Sequence, residues 1–273
     1  MAYPQEKGAW LMISRDTIDR YIAQVPAIPK IVKACSAALA EGDLVKAADC
    51  AAQDSALMLY LREIVNKSIF GFRSEIKEPR QIFGVLGLFR ARQILYSYYT
   101  RLLMPARWDV FDLDSRTFQE LQAQLMVKWE GIMEALGCHS VEISKVASII
   151  PATFAACEGI FKHDVQTLRL LQAQKAVSYE AILYKMSGLD FFDLACMVAQ
   201  KWELSDEIIH FLQALKDPEA DNDRVVYFKL LLQYELSRDV FMRCGINNFF
   251  ELEIDASEEQ IDHFYACVSK FEA

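Results

Sequence analysis

Imidazole is the scarcest reactive group in this chain, which has only His139, His163, His210 and His263. A hydrolytic metal centre needs imidazole nitrogens and carboxylate oxygens converging on one point, because the ion must be held and must polarise a water at the same time. His163-Asp164 is the one His-Asp dipeptide, and these two residues are the metal candidates. The pair follows Phe161-Lys162, where a helix should end, and no second histidine stands at ligand spacing. The plainer reading is a solvent-facing imidazole followed by an aspartate that caps the next helix. Cys157 could act as a thiol nucleophile with His163, but core packing accounts for it better. The chain has no glycine-rich phosphate loop and no Gly-x-Ser-x-Gly.

The seven cysteines are Cys35, Cys50, Cys138, Cys157, Cys196, Cys244 and Cys267. They form no Cys-x-x-Cys, and most have apolar neighbours, as in Leu194-Ala195-Cys196-Met197. Free buried thiols in a reducing compartment are expected, with a redox-sensing pair as the alternative. The formal net charge is −9 with no compensating cluster of lysine and arginine, so nucleic acid is not an expected partner. Arg90, Arg92 and Arg101 read as a solvated helix face. No signal-peptide pattern opens the sequence, and no apolar run approaches the roughly 18 residues of a membrane span. The expectation is a soluble, cytoplasmic protein that does not bind membranes.

Hydrophobic residues make up 53% and charged residues 25%, which suits a packed globular chain. Ten glycines and seven prolines are few for 273 residues, so the elements should be long, which favours helices. Val25-Pro26-Ala27-Ile28-Pro29 ends one helix, and Pro29 opens the next, where its missing N–H costs nothing. Asp54 is placed to cap a helix carrying Leu57, Leu61, Ile64 and Val65 on one side. Asn66, Ser68 and Gly71 are turn formers, and Gly87 interrupts a helix that resumes at about Phe89. Arg107 to Asp114 reads as a connector between lobes. Beyond it helical periodicity continues, with one helix expected over Arg224 to Arg243. Ser257-Glu258-Glu259-Gln260 has the form of a capping box. The reading is an all-α, multi-helix protein with two helical lobes, 1–106 and 107–220, and C-terminal helices over 221–273.

Four pieces of the first lobe occur in a recognisable order: Val25-Pro26-Ala27-Ile28-Pro29, Gln53-Asp54-Ser55-Ala56-Leu57, Asn66-Lys67-Ser68-Ile69-Phe70-Gly71 and Leu86-Gly87-Leu88. In residues and spacing, residues 25–103 resemble the HDOD family, bacterial signalling modules related to HD-type metal phosphohydrolases. The resemblance continues more faintly to about residue 219, through Gly188-Leu189-Asp190-Phe191, Trp202-Glu203-Leu204-Ser205-Asp206-Glu207 and Lys216-Asp217-Pro218-Glu219. It implies an HDOD-type fold with Pro29, Asp54, Asn66, Ser68, Gly71 and Gly87 as signature residues. The polar ones, Asp54, Asn66 and Ser68, occupy positions where capping and turn bonding explain their type, and a ligand- or partner-facing patch is the other reading.

The same resemblance places the metal ligands of HD-type relatives in the second lobe, where this sequence has none of them. A histidine is expected near Gly131, a His-Asp pair at Ala156-Cys157, a histidine at Phe191 and a His-His pair at Ala214-Leu215. The implied function is non-catalytic signal transduction through protein–protein contact, without a cofactor, with unknown signalling partners and with oligomerisation allowed. No fused receiver, cyclase or phosphodiesterase domain is expected, so the module would act alone. Phe249-Phe250 and Tyr96 to Tyr99 are candidate contact surfaces. A divergent phosphohydrolase acting on a nucleotide or cyclic dinucleotide, and a small-molecule sensor, are the competing functions.

Overall fold

Polar caps set where most helices begin. The computed structural model describes residues 13–66, 75–175, 177–217, 222–244, 246 and 252–271. The helices are α1 (Arg15–Gln24), α2 (Lys30–Ala40), α3 (Leu44–Ala51), α4 (Ser55–Val65), α5 (Pro79–Arg101), α6 (Ser115–Ala135), α7 (Val141–Ser144), α8 (Val146–Phe161), α9 (Val165–Lys175), α10 (Tyr179–Ser187), α11 (Phe191–Lys201), α12 (Asp206–Ala214), α13 (Asp223–Leu236), α14 (Asp239–Arg243) and α15 (Glu258–Val268), followed by a 3-10 turn, Ser269–Phe271. No strand occurs among the described residues. The side chains of Ser14, Asp43, Asp114 and Ser178 each accept a first-turn N–H, which satisfies donors that a helix start leaves open. Ser257 and Gln260 form the expected capping box, and Asp190 and Asp193 form a second. Pro29 is the N-cap of α2 and stands one residue outside the helix.

Two interruptions shape the molecule. Gly87 breaks α5 at φ 67°, ψ 175°, a backbone region essentially closed to residues with a Cβ. The space around it is open, so the demand for glycine is conformational and not steric. The single helix expected over Arg224 to Arg243 is instead two, α13 and α14. Arg238 is extended (φ −65°, ψ 139°), and its guanidinium reaches Glu235 at 3.2 Å and Glu120 at 2.8 Å. Ser237 donates its hydroxyl to the Gln233 carbonyl at 2.6 Å in the turn before it. Those side-chain bonds reward the break, although the apolar spacing of Leu236, Val240 and Phe241 runs straight through it.

The core is built around α8, in which every residue except Gly159 is buried. Helices α1, α5, α6 and α11 pack against it. Gly159 permits the approach of α1, because a Cβ there would overlap the Tyr21 ring. Thus α1 lies against α8, α10 and α11, while α2, α3, α4 and α5 pack on one another. The stretch Val141–Phe161 has a mean hydropathy of 1.3 and is long and apolar enough, by composition, to cross a membrane. An uninterrupted apolar run is absent because Glu142, Lys145 and Glu158 punctuate it. The apolar part of the stretch is 83% buried within the protein, so core packing accounts for its composition.

Candidate functional site: the cleft between α2 and the α11–α12 turn

The pieces Val25–Pro29 and Trp202–Glu207 are distant in sequence and meet in space. Trp202, the C-cap of α11, is fully buried and donates its indole N–H to the Pro26 carbonyl at 3.1 Å. Lys201 donates to the Ala23 carbonyl at 2.8 Å. The Tyr99 ring meets the Trp202 ring edge-on at 6.2 Å, and burial pushes the Tyr99 phenol well above its usual range. Between these segments opens a cleft of about 500 Å³. Ile28, Lys33, Ser36 and Ala37 line one side, and Glu142, Lys145 and residues Trp202 to Ser205 line the other.

Glu203 forms the lip of this cleft. It is the one non-glycine residue with positive φ (54°) among the described residues. The α11 terminus is closed by two backbone bonds, Glu203 N–H to the Gln200 carbonyl (2.9 Å) and Leu204 N–H to the Ala199 carbonyl (3.0 Å). This is the Schellman arrangement, whose left-handed position is usually glycine. The Glu203 carboxylate accepts from Lys33 at 2.6 Å, and that bond holds its pKa below the usual carboxylate range. Deeper in the cleft Glu142 takes Lys145 on one oxygen and the Ser205 hydroxyl on the other at 2.8 Å. Ser205 therefore makes no side-chain cap on α12.

The positions aligned with metal ligands are packed with hydrocarbon. Ala156, Cys157 and Phe191 are fully buried, Leu215 is buried and Ala214 is half-buried against the core. The Phe191 ring lies 4.7 Å from Phe154 and 5.7 Å from Phe192. The Phe271 ring sits so close to Gly131 that a Cβ there would overlap it. Burial drives the Cys157 thiol well above its ordinary pKa, which keeps it protonated. Burial also raises the thiols of Cys35, to about 12, and Cys196, to about 11. All seven cysteines are free. His163 is exposed in the turn after α8, and Asp164 beside it is buried, with its carbonyl accepting the Leu168 N–H. No group of three or more His, Cys, Asp or Glu able to hold a metal occurs among the described residues.

Of the signature residues, Pro29, Asp54, Asn66 and Gly87 do not line the cleft. Asp54 accepts the N–H groups of Ala56 and Leu57 at 3.0 and 2.9 Å. Asn66 donates to the Ile76 carbonyl at 2.9 Å and accepts the Ile76 N–H at 2.7 Å, which ties together the two ends of the intervening segment. Asn66→Ala strands both Ile76 groups and should cost about 1–3 kcal/mol, read as a fall in the urea midpoint at unchanged slope. Ser68, Gly71 and Phe249-Phe250 lie outside the described residues. Tyr96, Tyr98 and Tyr99 are buried, so they belong to the core and offer no contact surface. Arg92 is not on a solvated face either, because its guanidinium donates twice to the Leu39 carbonyl, at 3.1 and 2.8 Å. Sequence reasoning missed Lys33 and Glu203, since nothing local shows that an α2 lysine meets the α11 terminus.

Fold and site together define an all-helical protein with an apolar central helix. The HDOD domain model matches residues 25–218, and the chain belongs to that family. A crystal structure described as a candidate signal transduction protein from Marinobacter aquaeolei VT8 matches with a TM-score of 0.63 at 15% identity. That match covers 96% of this chain and 65% of the other. An HDOD domain protein of unknown function from Geobacter sulfurreducens matches with a TM-score of 0.58 at 14% identity, covering 93% of this chain and 87% of the other. At these identities the likeness is one of fold. The curated proteins contain no match.

Proposed function

We propose that this protein is a non-catalytic signal-transduction module that acts in the cytoplasm by binding another protein. One observation carries the reading: at the positions where the resemblance places donors, Ala156, Cys157, Phe191 and Leu215 are sealed in the core, Gly131 lies under the Phe271 ring, and Ala214 is a half-buried methyl group. A hydrolytic ion needs nitrogen and oxygen donors at one point, and side chains of these types supply none except one thiol that burial keeps protonated. Membership of the HDOD family and the likeness to a candidate signal transduction protein support a signalling role.

The test is elemental analysis of the purified chain together with affinity purification from its native cell. The expected result is substoichiometric iron, manganese and zinc, no phosphate release from nucleotides or cyclic dinucleotides, and a stoichiometric protein partner. One or more equivalents of metal, lost in His163→Ala, would establish the divergent phosphohydrolase in its place.

A further inference from the structure

We propose that the cleft between α2 and the α11–α12 turn binds a small organic anion, whose place on Lys33 is held in the free protein by the Glu203 carboxylate. The volume of about 500 Å³ lies within the range of small-molecule sites. Ile28, Ala37, Ala40 and Leu204 give the cleft apolar walls suited to a hydrocarbon or ring body. Lys33 and Lys145 face each other across it with Glu142 and Glu203, while the third carboxylate of the lining, Glu41, is taken by Lys46 at 2.8 Å. An ammonium group has three N–H donors, and the hydrogen bonds of Lys33 and Lys145 in the cleft are one to Glu203 and one to Glu142. Carboxylate or phosphate oxygens are the groups that use the remaining donors.

The two carboxylates facing these lysines are held very differently. Glu142 is bonded on both oxygens, and its side chain is 33% exposed. Glu203 is 75% exposed, sits on a turn, and pairs with Lys33 alone among the described ion pairs. The turn does not need this side chain, since both closing bonds are backbone bonds and glycine would occupy φ 54° with less strain. Nor is an exposed ion pair a strong source of stability. What the carboxylate does is neutralise Lys33 at the mouth of an apolar cleft while remaining free to swing into solvent. An incoming anion exchanges with it, and the α2 to α11 link across the lobes passes from Glu203 to the ligand. This proposal stands apart from partner binding, which survives if it fails.

Phenyl phosphate and inorganic phosphate are suitable probes, titrated into the full chain while the Trp202 indole N–H resonance is followed by NMR. The expected result is a saturable shift with phenyl phosphate and a weaker one with inorganic phosphate. Glu203→Gln should bind phenyl phosphate about tenfold more tightly, and Lys33→Met should abolish the shift in both backgrounds. Glu203→Gly should both tighten binding and raise the thermal midpoint, because it relieves the turn. The proposal is overturned if neither the wild type nor Glu203→Gln gives a saturable shift, or if Lys33→Met leaves the shift unchanged. It is also overturned if Glu203→Gly lowers the thermal midpoint, since the carboxylate would then be structural. Equal affinity for the two probes would refute the role of the apolar walls.

Discussion

Glu235→Ala should destabilise the protein by about 3–5 kcal/mol, the cost of removing one member of a buried ion pair. Glu235 is fully buried, and Lys128, 2.5 Å away, is 3% exposed. The Lys128 ammonium also lies 4.8 Å from the centre of the Tyr234 ring, and Arg238 reaches the other Glu235 oxygen at 3.2 Å. This group fastens α13 to α6, beside the contact of Trp129 with Phe228 at 4.7 Å. Replacing both partners, as Lys128→Met with Glu235→Leu, takes both charges out of the core and should recover most of the loss. Urea unfolding of the single and double variants measures this, and near-UV circular dichroism reports the Trp129 cluster. If the single variant lost less than about 1 kcal/mol, comparable to an exposed pair, the buried pair would not be what fixes the C-terminal helices.

The second large effect is expected at Glu158, on α8. Its carboxylate is 1% exposed and accepts three consecutive backbone N–H groups, from Asp109 at 2.6 Å, Val110 at 2.9 Å and Phe111 at 3.1 Å. The segment between α5 and α6 is thus pinned to the central helix by one ionised side chain. Hydrogen bonds to a charged group contribute about 1.5–3 kcal/mol each, so Glu158→Ala should cost at least about 3 kcal/mol. Glu158→Gln keeps one acceptor oxygen and should lose roughly half as much. Arg107, whose side chain is 82% exposed, gives a local readout. Trypsin should cleave after Arg107 faster in both variants, and more so in Glu158→Ala. Unchanged cleavage would mean that the segment holds its course without the carboxylate.

Both effects depend on charges that a sequence displays as ordinary surface residues. Lys128 and Glu235 lie on different helices far apart in the chain, and Glu158 interrupts an otherwise apolar run. Burial of a charge is a tertiary fact, and periodicity records only which residues share a face. Periodicity and turn chemistry sufficed where a residue acts through its own backbone neighbours, as Asp54, Gly87 and the Ser257–Gln260 box do. They failed at Ser237-Arg238, where no breaker residue stands and the break is stabilised by Glu120, on α6. The cleft shows the same limit. Resemblance picked out Val25–Pro29 and Trp202–Glu207 separately, while their meeting through Pro26 and Trp202 needs the whole fold.

The position of α8 also bears on the order in which the chain can fold. Its cover comes chiefly from α1, α5 and α6 before it and from α11 after it. A chain emerging from its N-terminus completes this apolar helix before α11 exists. Until then the face that α11 will cover is open, and such transient apolar surface is what drives collapsed chains to associate. Stable closure waits for contacts between residues separated by much of the family domain, which slows folding relative to a bundle of neighbouring helices. The period of greatest exposure therefore falls between the synthesis of α8 and that of α11.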